Sequence, residues 1–166
     1  MSSERAAGYG RAMTRLATLV ATFFYTGFFP FAPATFATAV FLALYLLIPG
    51  GEVLAHWAVL AATAIISVPV STRVERVRGK DPHCVVIDEI VGMQIVLVGA
   101  QPTLAGVAVA FVLFRAFDVW KPYPINRLQD LPGGWGIVAD DALAGLYARA
   151  VLVIISLATN LLGSFS

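Results

Sequence analysis

The chain has 166 residues, a formal net charge of +1, 59% apolar and 13% charged residues, and a mean hydropathy of +0.83. About 25% charged residues is usual for a soluble domain, so the balance excludes an ordinary soluble protein, and the small net charge offers no broad basic surface for nucleic acid. Cys84 is the sole cysteine, which excludes an internal disulfide, and only His56 and His83 accompany it, too few ligands for a structural zinc site.

The apolar residues gather in long runs: 16–31, 36–48, 53–70, 85–100, 104–120 and 142–162. Several approach the ~20 residues a helix needs to cross ~30 Å of hydrocarbon. A soluble helix of this length carries a polar stripe at every turn, and these runs carry none. The sequence therefore predicts an all-α fold, a polytopic membrane helical bundle forming a single domain over 1–166. About five transmembrane helices are expected, plus an N-terminal interfacial or re-entrant helix.

In chain order, Arg5, Arg11 and Arg15 mark residues 1–15 as a cytoplasmic segment. Ala37-Thr38-Ala39 has the form of a signal-peptidase site, but Gly27, Pro30 and Pro33 interrupt the preceding run, so cleavage is not expected. The linkers 71–81 (Arg73, Arg76, Arg78, Lys80) and 121–136 (Lys121, Arg127) are basic and belong on the cytoplasmic side as well. Two ends on one side require an even number of crossings, yet three apolar runs lie between Arg15 and Arg73. Making 16–31 re-entrant, broken at the Phe29-Pro30-Phe31-Ala32-Pro33 stretch, restores the parity. Residues 36–48 then lead out, with a turn at Pro49-Gly50-Gly51, and 53–70 return. Residues 85–100 lead out, turning near Gln101-Pro102, 104–120 return, and a last helix from about Ile137 leads out. Thr35, Asp88-Glu89, Arg115 with Asp118 and Lys121, and Asp140-Asp141 all fall at cytoplasmic ends.

A carboxylate inside a bilayer costs ~2.5–3.5 kcal/mol on insertion scales, so the adjacent pair Asp88 and Glu89 requires compensation, as does Asp140 with Asp141. Four such groups at one depth repel unless cations sit among them, and all-oxygen ligands suit a hard cation such as Mg²⁺. Structural roles compete: Asp140 and Asp141 as helix-start acids favoured by the macrodipole, Asp88 or Glu89 as a protonated acid or a partner of Arg115. Arg115 and Asp118, three apart, share a helix face. The guanidinium suits a two-oxygen clamp on phosphate, or a plain intramembrane pair with Asp118, while Lys121 either joins it or snorkels. Gly133, Gly134 and Gly136 suggest a loop approaching a ligand, and Thr35 is either a helix cap or a ligand contact. No cysteine-phosphatase loop, D-x-D nucleophile, Walker A or HExxH motif is present, which leaves metal-assisted chemistry with acidic ligands.

Four ordered segments, PFAPATFATA, VVIDEIVGM, FRAFDVWKPYPI and GGWGIVADDALAG, together resemble the phosphatidylglycerophosphatase A family of bacterial membrane enzymes and cover most of residues 28–147. Asp88, Glu89, Gly92, Arg115, Asp118, Lys121, Pro122, Pro124, Gly134, Gly136, Asp140, Asp141 and Gly145 stand at matching positions. The first motif departs: the family resembles P-G-T-x-G-S, and this chain reads Pro33-Ala34-Thr35-Phe36-Ala37-Thr38. If that loop needs φ > 0 or close approach of phosphate, alanine hinders it.

The resemblance implies an inner-membrane enzyme that hydrolyses the terminal phosphate of phosphatidylglycerophosphate in the bilayer and yields phosphatidylglycerol, and the linker charges place its site on the cytoplasmic side. Mg²⁺ is expected on Asp88, Glu89, Asp140 and Asp141, which bind phosphate through it and activate water. Arg115 and Lys121 are expected to neutralise phosphate charge, with Asp118 orienting Arg115 or adding a ligand, and Thr35 near the substrate. The rival readings are a cation-coupled transporter, whose polar groups belong nearer the midplane, a non-catalytic lipid-binding or assembly protein, and a phosphatase of another lipid phosphomonoester.

Overall fold

The computed structural model describes residues 3–47, 53–159 and 163–164. Among them the chain is predominantly helical: α1 (Ser3–Ala21), a 3₁₀ turn (Thr26–Phe28), α2 (Pro33–Leu47), α3 (Val53–Arg78), α4 (Ile87–Leu97), α5 (Leu104–Trp120), α6 (Ile125–Leu128) and α7 (Gly134–Thr159). The two-residue strands β1 (Gln101–Pro102) and β2 (Gly163–Ser164) pair antiparallel.

Helix α1 stops at Ala21, ahead of the proline-rich stretch where the break is expected. The buried Thr22 hydroxyl accepts the Tyr25 N–H at 3.1 Å, and Phe23, Phe24 and Tyr25 take left-handed φ values of 43°, 57° and 68°. This turn is anchored on the segment before α4: Val86 N–H donates to Ala21 O at 2.9 Å, and a side chain at Gly27 would collide with the Cys84 carbonyl. Ala32, at φ 47°, redirects the chain into α2, whose first residue is Pro33. Proline suits that place because an N–H there has no helical partner.

Helix α3 runs on to Arg78 through what sequence alone assigns to a linker. Its polar end packs on α1, where Arg73 donates to Thr14 Oγ1 at 3.1 Å and to Gly10 O at 3.0 Å. Helix α7 likewise starts at Gly134, one turn before the expected Ile137. The turn at Pro49-Gly50-Gly51 and the end of the last run at residue 162 lie outside the described residues.

Helix α4 is the centre of the bundle. Its most extensive packing is against α7, and its Met93, Val96 and Leu97 join Phe114, Ala110, Ala144, Ala148 and Leu152 in one core. A second core lies nearer the α4 N-terminus and unites Ile87 and Ile90 with Ala17, Ala21, Val74 and Ile137. Around this centre large apolar side chains face outward, among them Leu54, Ile65, Val112, Ile154 and Leu157.

Among the described residues two helices are long and apolar enough to cross a bilayer, over Leu54–Arg78 and Gly134–Thr159. Helices α2, α4 and α5 have 15, 11 and 17 residues, so the expected number of about five full spans is not reached on length alone. At 1.5 Å per residue α4 extends only about 16 Å. Its C-terminal carbonyls therefore end among neighbouring helices, where one Arg149 nitrogen donates to Val96 O at 3.0 Å and Val98 O at 2.8 Å.

Candidate active site

At one end of the bundle a cavity of about 340 Å³ opens between helix ends. The first turns of α2, α4 and α7 and the last turns of α3 and α5 contribute to its wall, through Pro33, Asp88, Gly136, Glu75 and Asp118 among others. Three helix N-termini thus present their partial positive ends to one space, an arrangement favourable to anions.

The inner carboxylates are brought together by a close helix crossing. A side chain at Gly145 of α7 would overlap the Gly92 carbonyl of α4, and one at Gly92 would overlap the Phe114 ring and meet Asp141 O at 2.7 Å. Asp88 and Asp141 each stand four residues, about one turn, before these glycines. One carboxylate oxygen from each of Asp88, Glu89 and Asp141 lies within 4.8 Å of the others. Asp88 Oδ1 and Glu89 Oε2 are buried without a hydrogen-bond partner among the described residues. Buried polar atoms are nearly always partnered, so these two oxygens are acceptors available to a ligand in the cluster. An all-oxygen donor set with free acceptors fits a hard divalent cation.

Asp140 has a different setting from the other three. Its Oδ2 accepts from the Lys121 ammonium at 2.5 Å and its Oδ1 accepts the Asp141 N–H at 3.0 Å. Lys121 closes α5 in a left-handed conformation, φ 46°, which turns its side chain towards α7. Burial lowers the pKa of this ammonium, but the Asp140 hydrogen bond and the charges of Asp140, Asp141 and Asp118 overcome it and hold the group above its ordinary range. Asp118 lies 3.9 Å from Lys121 and binds Arg115 across one helical turn at 2.5 Å.

Six of the expected site residues therefore meet at the cavity: Asp88, Glu89, Asp118, Lys121, Asp140 and Asp141. Arg115 stands behind Asp118 and is not part of the wall. Thr35 is the third residue of α2, inside the helix and not its cap, beside the wall residues Pro33 and Ala34. Ala34 and Ala37 have none of the left-handed φ values seen nearby at Ala32, so helical geometry accommodates both alanines. Gly134 and Gly136 approach protein: side chains there would strike Val68 O and Leu131 O. Gly134 N–H instead donates to the Thr72 hydroxyl at 2.8 Å, fixing the start of α7 on α3.

Sequence reasoning missed the outer wall, which includes Glu75, Lys80, Asp81, His83 and Asp130. These sit in polar linkers, where charge is ordinary and no apolar surrounding singles it out. Among the described residues, eight carboxylates and two lysines line the cavity.

A family model for phosphatidylglycerophosphatase A matches residues 19–156. The chain is 34% identical over 149 residues to a Bacteroides thetaiotaomicron protein provisionally named phosphatidylinositol-3-phosphatase, with 84% of this chain and 92% of that one aligned. It is 42% identical over 78 residues to phosphatidylglycerophosphatase A of Escherichia coli, 45% of each chain. Against the Haemophilus influenzae protein of that name it is 45% identical over 75 residues, 43% of this chain and 45% of the relative. No solved structure matches. The family match spans most of the sequence and all of the clustered carboxylates, and the chain belongs to the phosphatidylglycerophosphatase A family.

Proposed function

We propose that the chain is a phosphoric monoester hydrolase that removes the terminal phosphate of phosphatidylglycerophosphate, with Mg²⁺ as cofactor, at the cytoplasmic leaflet of a bacterial inner membrane. One observation carries the chemistry: Asp88, Glu89 and Asp141 converge with two unpartnered buried oxygens on the wall of a cavity at the helix ends. Family membership supports the substrate.

Asp88, Glu89 and Asp141 would hold the metal. Bound there, Mg²⁺ supplies positive charge for phosphate oxygens and lowers the pKa of a water. The composition of the wall supports this reading, since among the described residues eight carboxylates face two ammonium groups and disfavour a phosphate unless a cation joins them. Lys121, held by Asp140, offers a positioned cation to the charge that spreads over the phosphate oxygens in the transition state. Arg115 positions Asp118, which in turn faces Lys121. Carboxylate oxygens not engaged by metal accept the proton of the attacking water.

In this reading α2, α3, α5 and α7 traverse the bilayer, α4 enters it from the cavity end and stops inside the bundle, and α1 lies at the surface. The exposed Arg76 and Arg78 at the cavity end of α3 support a cytoplasmic site by the positive-inside tendency. Exposed Trp120, Tyr123 and Trp135 near the same end suit an interfacial belt at headgroup depth.

Purified protein in neutral detergent should release phosphate from phosphatidylglycerophosphate, lose that activity in EDTA, and regain it with Mg²⁺. No release rejects the activity, and full release in EDTA rejects the metal. The 92% coverage of the relative named for phosphatidylinositol 3-phosphate favours one second reading, hydrolysis of that lipid. Competition between the two lipids in one assay decides which has the higher kcat/KM.

A further inference from the structure

The cavity's two ammonium groups differ in one respect. Lys121 is committed to Asp140 and Asp118, whereas Lys80 makes no ion pair among the described residues. Lys80 lies on the segment between α3 and α4, and that segment is tied down on both sides. Gly79 N–H donates to Glu75 O at 2.8 Å and closes α3 at φ 98°, a conformation that favours glycine. Beyond it, Asp81 is also left-handed at φ 45°, Val85 N–H donates to Pro82 O at 2.8 Å, and Val86 N–H donates to Ala21 O. Lys80 is thereby presented to the cavity by a backbone with two left-handed residues flanking it, a costly arrangement for non-glycine Asp81 that surrounding contacts must hold.

An uncommitted cation in a wall otherwise dominated by carboxylates is matched to a second anion, separate from the phosphate at the acidic cluster. The substrate proposed above has one: besides its terminal monoester it carries a phosphodiester with a single negative charge. Resting on the phosphatase reading, we propose that Lys80 is a specificity-determining residue that binds the phosphodiester of the lipid headgroup while the monoester occupies the site at Asp88, Glu89 and Asp141.

Two soluble probes separate the sites in neutral detergent micelles. Glycerophosphoglycerol, the deacylated product, carries the phosphodiester alone, and inorganic phosphate stands for the monoester. In Lys80→Ala, KM for phosphatidylglycerophosphate and the inhibition constant of glycerophosphoglycerol should each rise about tenfold, as expected for loss of one charge-assisted contact. Inhibition by inorganic phosphate should stay within twofold, and Lys80→Arg should restore the wild-type constants. Arg76→Ala, which removes an exposed cation outside the wall, serves as the control for general attraction to anionic micelles. Equal weakening of both inhibitors would place Lys80 at the reacting phosphate and overturn the proposal, as would unchanged constants or an equal effect of Arg76→Ala. Failure of the wild type to hydrolyse phosphatidylglycerophosphate would remove the underlying activity, and the proposal with it.

Discussion

Gly145 and Gly92 meet backbone to backbone where α7 crosses α4, and neither has space for a methyl group. Small residues allow such approach between apolar helices, because no side chain separates the two backbones. The consequence is felt one turn away, where Asp141 on one helix and Asp88 and Glu89 on the other reach ligand distance. Gly145→Ala must push the helices apart or distort them. We expect a loss of about 1–3 kcal/mol in stability, typical of an overpacked contact. Activity should fall further than stability explains, because the separation opens the carboxylate cluster. Thermal unfolding and phosphate release on the same preparation check this, and wild-type activity in a fully folded variant would contradict it.

Asp141→Asn tests the same cluster without changing its volume. The amide keeps one oxygen but loses the charge that a hard cation requires. Phosphate release should drop at least about a hundredfold, as when electrostatic stabilisation of a transition state is removed. A separate readout avoids dependence on turnover: Mg²⁺ should raise the Tm of the wild-type protein and leave that of Asp141→Asn nearly unmoved. An equal Mg²⁺-induced shift in both proteins would place the metal elsewhere.

Lys121 and Asp140 form a pair in which the carboxylate side chain is 4% exposed and the lysine 27%. Removing only the cation strands a buried charge, which is worse than removing both. Lys121→Met should therefore destabilise by about 1–3 kcal/mol, reduced from the fully buried case by the lysine's exposure. The double variant Lys121→Met with Asp140→Asn should recover most of the Tm and none of the phosphate release. Recovery of activity in the double variant would show that the pair has only a structural role.

The site was legible in the sequence to the extent that charge was conspicuous against apolar surroundings. Asp88, Glu89, Asp140 and Asp141 lie in or beside apolar runs, so their convergence at helix ends followed from run boundaries and linker charge. Glu75 and Lys80 line the same cavity but sit in a polar stretch, where hydropathy carries no contrast. For the same reason the continuation of α3 to Arg78 was hidden: its polar end is stabilised by Arg73 reaching Thr14 and Gly10 on α1, a contact that local sequence does not encode. Gly134 and Gly136 were read as part of a loop approaching a ligand, but their close neighbours are protein, the α3 backbone at Val68 and the Leu131 carbonyl. Gly92 and Gly145 carried no such signal in the sequence, and there the close neighbours are the Phe114 ring and the backbone of the crossing helix.

Arg149 was invisible as a functional element because its role depends on where α4 stops. A helix C-terminus leaves carbonyls without intrahelical donors, and α4 ends where Leu97 and Val98 are buried in the bundle. One guanidinium nitrogen reaches three of them, Ile95 O at 3.5 Å, Val96 O at 3.0 Å and Val98 O at 2.8 Å. Arg149→Met keeps much of the apolar stem and removes the donors, so those carbonyls lose charged partners at a cost of about 1–3 kcal/mol. Arg149→Lys should recover part of this, because an ammonium supplies donors but not the planar fork. Hydrogen exchange offers the more specific check: amides in the last turn of α4 should lose protection in Arg149→Met before those around Ile90. Uniform loss of protection along α4 would show that Arg149 stabilises the bundle as a whole and does not cap this one helix end.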